Sequence, residues 1–257
     1  MNSALGVPTD QFGLFFLVLA RAGGLFAAAP LLSNAAVPTV VRALLSVLVS
    51  LAALPAAAAP PGGVPQDVLP YAGLLVHEVA IGLVLGLIAQ LVFLAAQLAG
   101  TYCDVQLGLT LASVIDPVNG ESTALMGNWF GTIAALAFIA GGGLEALIGA
   151  LGLSYQHIPV GAAVLFSGGA SAALAALGWA FVTGLGIAAP VLALGFLLNL
   201  LLGVLSRAMP QLNALQSVMP AQVLVGIVAV LLATPVMIAA FGNLVPETLV
   251  WVGRLWA

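Results

Sequence analysis

Few side chains in this sequence can do chemistry, so each can be weighed in turn. His77 and His157 are the two histidines and Cys103 is the single cysteine. Lysine is absent, which leaves Arg21, Arg42, Arg207 and Arg254 as the cations. Two separated histidines do not make a histidine-rich metal site, and no HExxH occurs. One cysteine forms neither an intrachain disulfide nor a cysteine cluster, so Cys103 reads as a small helix-packing residue. A phosphate-binding GxxxxGK needs a lysine, and GxSxG is missing too. Asp104 and Asp116 lie close together, but the stretch between them reads as a loop with no motif around either. No catalytic residue, metal site or cofactor is expected, and the protein reads as a non-enzyme. What remains is ionisable residues inside apolar sequence, which are functional hypotheses by default. The pair His77-Glu78 admits two readings, a proton relay or a polar pair facing partner helices or the membrane edge. The second is preferred, because Glu78 is only eight residues from the start of its apolar segment. Arg21, just before Gly23-Gly24, poses the same choice, as does Glu145. Arg21 can pair with an acid on a neighbouring helix, but the sequence does not name that acid.

The elements that must position these residues follow from composition. Hydrophobic residues are 63% of the 257 and charged residues 5%, against roughly 45–50% and 25% in soluble domains. A formal charge of −4 spread over so few groups leaves no basic footprint for nucleic acid. Val79–Cys103, Ile158–Ser206 and Ala208–Pro246 contain no Asp, Glu, Lys, Arg or His. Each is longer than the ~20 apolar residues a membrane-crossing helix needs. Without two-residue alternation they read as helices rather than barrel strands. The expected fold is therefore all-α, a polytopic membrane-type protein of about six long segments. The N-terminus lacks a basic n-region and carries Asp10 before its first apolar run, so it is not expected to be a signal peptide.

The segments are expected at about Asp10–Leu32, Pro38–Ala59, Pro70–Val105, Thr123–Leu153, Ala172–Ser206 and Ser217–Phe241. Pro60-Pro61-Gly62-Gly63-Val64-Pro65 is a turn-rich connector. The third segment, roughly 50 Å long at 1.5 Å per residue, is too long for a perpendicular span and must be kinked, tilted or projecting. Gly141-Gly142-Gly143 should break the fourth, and the last two should form an antiparallel hairpin. Gly82-x-x-x-Gly86 and Gly127-x-x-x-Gly131 match the small-xxx-small pattern of close helix approach. Four arginines are too few to assign orientation by flanking charge.

Several stretches then stand in a recognisable order. They are Arg21-Ala-Gly-Gly24, Ala29-Pro30, Pro38 and Arg42, followed by Glu78-x-x-x-Gly82-x-x-x-Gly86, Ala99-Gly100 and Asp104-x-Gln106-x-Gly108. Asp116-Pro117, Ser154-Tyr155, Pro159-x-Gly161 and Arg207-Ala-Met-Pro210-Gln211-Leu-Asn213 come next, with Pro220 and Gly226 beyond. As an ordered set covering nearly the whole chain, they resemble the FliR family of flagellar export-apparatus proteins, whose virulence-secretion branch contains the T subunit of injectisomes. The chain departs from the family pattern at Leu144-Glu145, Ala214-Leu215 and Ala221-Gln222-Val223, which bears on loop contacts and branch.

The resemblance implies a component of the type III protein export gate of the flagellar export apparatus, in the bacterial inner membrane at the flagellar basal body. Its partners would be P-type and Q-type gate subunits, the B-type and A-type export-apparatus proteins and unfolded protein substrates. Residues 1–165 would be a P-like helical part and residues 166–257 a Q-like hairpin and tail. Arg207, Pro210, Gln211 and Asn213 would be assembly contacts in the hairpin loop. The stretch from about Gln106 to Glu121, with Gly108, Asp116, Pro117 and Gly120, would be a plug. Its apolar or small middle, Leu107 to Ile115, suits filling a narrow pore. The alternatives are an injectisome gate subunit and a secondary transporter using His77 and Glu78. A transporter predicts matching broken helices in two halves, and no such repeat is visible.

Overall fold

The computed structural model describes residues 9–33, 37–60, 63–109, 124–162, 169–208 and 214–254. Among these, the elements are helical: α1 Thr9–Ala28, α2 Thr39–Ala53 with a 3-10 turn Leu54–Ala56, α3 Val68–Gln106, α4 Leu125–Ala140, α5 Gly143–His157, α6 Gly169–Ala208, α7 Ala214–Gly242 and α8 Leu244–Gly253. Five helices are long and apolar enough to cross a membrane, or six if α4 and α5 count as one bent span. The break between α4 and α5 bends the chain by 68°. Gly142 supplies it with φ +75, a left-handed conformation costly for any residue with a Cβ.

α3 is one helix of 39 residues, about 58 Å at the standard rise. It stops where Gly108 takes φ +71. The Gly108 N–H donates to Val105 O (3.2 Å) and the Leu109 N–H to Asp104 O (3.0 Å), the paired bonds of a Schellman motif. The expected end near Val105 is close to this, but the short helix α8 was not anticipated. It follows a single-residue turn at Asn243 and buries Trp251 and Val252.

Two compact units group the residues. One contains Met1–Leu91, Gly142–Ala176 and Val245–Ala257, the other Val92–Gly141 and Leu177–Leu244. In the first unit α1 and α3 run in the same direction and touch backbone to backbone. A Cβ on Gly24 would lie 2.5 Å from Val79 O, and one on Gly86 2.6 Å from Leu25 O. At Gly82 it would strike the carbonyl oxygen of Arg21. The Gly82/Gly86 spacing is thus used for close approach. In the second unit α4 runs back along α3, Gly100 against Gly127 and Phe93 edge-on to Phe138 with centroids 5.2 Å apart. α6 lies on α3 through Gly184 and Gly195, and α7 meets the end of α3 where Gln222 Nε2 donates to Gln106 O at 2.6 Å.

Large apolar side chains remain uncovered on α2 (Leu44, Leu48), α6 (Leu197, Leu201) and α7 (Leu231, Leu232). Apolar surface on this scale demands lipid or partner helices.

Candidate functional site

The most concentrated polar chemistry lies in the first unit, one turn away from the glycine crossing. Arg21 precedes Gly24 by three residues and Glu78 precedes Gly82 by four, so each side chain stands on the crossing face of its helix. Close backbone approach brings them together: Arg21 Nε donates to Glu78 Oε2 at 2.6 Å, with both side chains fully buried. Arg21 Nη1 donates to Ser154 Oγ (3.1 Å) and to Ile158 O (3.0 Å). The other carboxylate oxygen, Glu78 Oε1, accepts the Gly161 N–H at 2.8 Å.

α5 and the turn after it complete the cluster. The guanidinium lies over the Tyr155 ring, 4.4 Å from its centroid, a desolvated cation–π contact worth about 2 kcal/mol. Tyr155 Oη donates to Val18 O at 3.1 Å, tying α5 back to α1. Gly161 adopts φ +74, and a Cβ there would also press to 3.0 Å on Pro60. One plus charge and one minus charge are thus neutralised inside apolar helices, the condition under which buried ions are tolerated. Arg21 Nη2 has no hydrogen-bond partner among the described residues.

This arrangement joins α1, α3 and α5 as a buried strut. Both Glu78 oxygens are engaged and neither Arg21 nor Glu78 is exposed. His77, the neighbour that a relay would use, is half-buried on α3. Glu145 sits in the first turn of α5, where an acid complements the helix dipole.

A second polar feature lies in the other unit. Asp104, 1% exposed, accepts the Met126 N–H (3.0 Å) on one oxygen and the Gly127 N–H (3.1 Å) on the other. It thereby caps α4, whose own N-cap residue is Ala124 and makes no side-chain cap bond. Asp104 belongs to the last turn of α3, inside the expected third segment.

Of the other residues singled out from sequence, Gln106 ends α3 and Gly108 forms its cap. Asp116, Pro117 and Gly120 lie outside the described residues, as do Pro210, Gln211 and Asn213. Arg207 is exposed in the last turn of α6, where a cation complements the C-terminal dipole. The sequence reading of the site lacked the Ile158 carbonyl, the Gly161 amide and the Asp104 cap. For Ser154, Tyr155 and Gly161 the signal was available in the motif order, but not their convergence on the Arg21–Glu78 pair.

The chain matches, over residues 12–248, the family model described as bacterial export proteins, family 1. It is 29% identical over 252 residues to the flagellar biosynthetic protein FliR of Bacillus subtilis, covering 97% of this chain and 95% of that one. It is 32% identical over 227 residues to FliR of Escherichia coli K12, covering 87% and 86%. To the surface presentation of antigens protein SpaR of Shigella flexneri it is 34% identical over 141 residues, covering 55% and 54%.

Proposed function

This chain belongs to the bacterial export proteins, family 1, and on that footing we propose that it is a component of the flagellar type III protein export gate. The observation that carries the reading is the alignment with flagellar relatives along almost the full length of both chains. Injectisome-type relatives share about half of it, which favours the flagellar branch. The helices are membrane-embedded, and we place them in the bacterial inner membrane at the flagellar basal body.

The finer reading is that the chain joins P-type and Q-type subunits around a channel for unfolded substrates, with the B-type and A-type export-apparatus proteins nearby. Residues 1–165 act as the P-like part and 166–257 as the Q-like hairpin. The connector from about Gln106 to Glu121 serves as the plug, and the loop at Arg207, Pro210, Gln211 and Asn213 as an assembly contact. The protein works as scaffold and conduit rather than as an enzyme. Two features support this: a buried strut joining α1, α3 and α5, and long apolar helix faces left exposed among the described residues. A transporter centred on His77 and Glu78 is disfavoured because the Glu78 carboxylate is sealed and fully bonded.

Co-expression tests the assembly. With P-type and Q-type subunits, the chain is expected to purify in detergent as one stable complex, and cysteines placed at Gln211 or Asn213 should cross-link to a neighbouring subunit. A monodisperse, thermally robust monomer purified alone would contradict the proposal.

A further inference from the structure

We propose that Arg42 and the hollow between α1 and α2 bind the phosphate group of a membrane phospholipid. Arg21 and Arg42 are both carried by apolar helices, yet only one of them is neutralised. Arg21 has a buried carboxylate beside it, while Arg42 has no acidic partner within ion-pair distance among the described residues. Its Nη2 donates to Val37 O at 3.1 Å, and its Nε is shielded from solvent with no acceptor. A cation left this way in apolar surroundings is costly unless an anion reaches it.

Room for that anion lies beside it. Gly23 and Ala27 of α1 and Thr39, Arg42 and Ala43 of α2 line an open hollow of about 280 Å³, far more than the roughly 10–15 Å³ that holds one water. A Cβ on Gly23 would meet nothing within 4 Å, whereas one on Gly24 would strike α3. No helix contact calls for glycine at 23, and its missing side chain keeps the hollow open. Depth selects a lipid as the source of the anion. The apolar span Thr39–Ala56 has 18 residues, about 27 Å at the standard rise, against a hydrocarbon core of ~30 Å. Arg42, in the first turn of that span, therefore sits at headgroup level. The exposed Val40, Val41 and Leu44 beside it suit the acyl chains. Guanidinium groups bind phosphate oxygens by charge-assisted hydrogen bonds, and basic pockets between membrane helices take lipid headgroups. The site follows from the membrane embedding of α2 and stands whether or not the chain serves an export gate.

The test uses the full chain with its co-purifying subunits, stripped of lipid in detergent. It is titrated with phosphatidylglycerol, with diacylglycerol of the same acyl chains and with inorganic phosphate, and binding is read by native mass spectrometry and thermal unfolding. Phosphatidylglycerol should bind and raise the unfolding temperature, whereas diacylglycerol and millimolar phosphate should do neither. Arg42→Gln should weaken phosphatidylglycerol binding by at least about tenfold, the scale of one lost charge-assisted hydrogen bond, and Arg42→Lys by less. Gly23→Leu fills the hollow but leaves the guanidinium and its Val37 bond in place. It should weaken binding as much, and it keeps the test decisive if Arg42→Gln fails to fold. Equal binding of phosphatidylglycerol and diacylglycerol, or wild-type affinity in Arg42→Gln or Gly23→Leu, would overturn the lipid site. Inorganic phosphate binding as tightly as the lipid would overturn it too, leaving a site for soluble anions. Loss of a co-purifying subunit from Arg42→Gln with lipid affinity unchanged would also overturn it, giving Arg42 a partner's carboxylate instead.

Discussion

Arg21→Gln and Glu78→Gln are each expected to destabilise the protein by about 3–5 kcal/mol, the cost of leaving one buried ion without its partner. The geometry makes the loss severe at either end. Without Glu78, the Arg21 guanidinium retains Ser154 Oγ, Ile158 O and the Tyr155 ring, none of which carries the opposite charge. Without Arg21, Glu78 keeps one amide, that of Gly161. The Arg21→Gln/Glu78→Gln double variant contains no buried charge, so it should lose less than the sum of the singles by about 0.5–3 kcal/mol. Thermal unfolding of the detergent-solubilised complexes measures all four corners of the cycle. Strictly additive losses would show that the pair does not act as a unit.

Gly82→Ala carries the second large effect. In an open helical position, glycine to alanine stabilises by up to about 1 kcal/mol through helix propensity. Gly73, also on α3, has nothing within 4 Å of where a Cβ would lie, and Gly73→Ala should be neutral or mildly stabilising. At Gly82 the same methyl group would meet the Arg21 carbonyl oxygen and lie 2.8 Å from Leu25 N. Those are backbone atoms that cannot rotate away, so α1 and α3 must separate. Overpacking alone costs about 1–3 kcal/mol, and separation also pulls Arg21 from Glu78. Gly82→Ala should therefore lower the unfolding temperature of the assembled complex while Gly73→Ala does not. Equal behaviour of the two variants would contradict the backbone contact.

These two experiments also mark what could be read from the residues alone. The charge-free stretches and the Gly141–Gly143 break were legible because bilayer thickness and backbone hydrogen bonding leave few choices for such sequences. The Gly82/Gly86 spacing was legible as a site of close approach. Its partner was not, because a small-xxx-small pattern says that something comes near without saying what. The identity of the acid opposite Arg21 failed for the same reason. Glu78 lies 57 residues away, and pairing depends on how far each helix is displaced along its neighbour. That displacement is set by Gly24 and Gly86 packing across the α1–α3 crossing, which is tertiary information. Asp104 was legible as the end of the third segment but not as the cap of α4, because Met126 lies 22 residues away on another helix. α8 was missed because the last expected segment stops at about Phe241, whereas the chain resumes a helix at Leu244 after a single residue.

The most direct test of the central claim is export itself. Deleting the gene for this chain in its own host should abolish motility and the secretion of flagellar proteins into the medium. Supplying the wild-type chain should restore both, and supplying the Arg21→Gln variant should not. Normal motility and normal flagellar protein secretion in the deletion strain would contradict the assignment to the flagellar export gate.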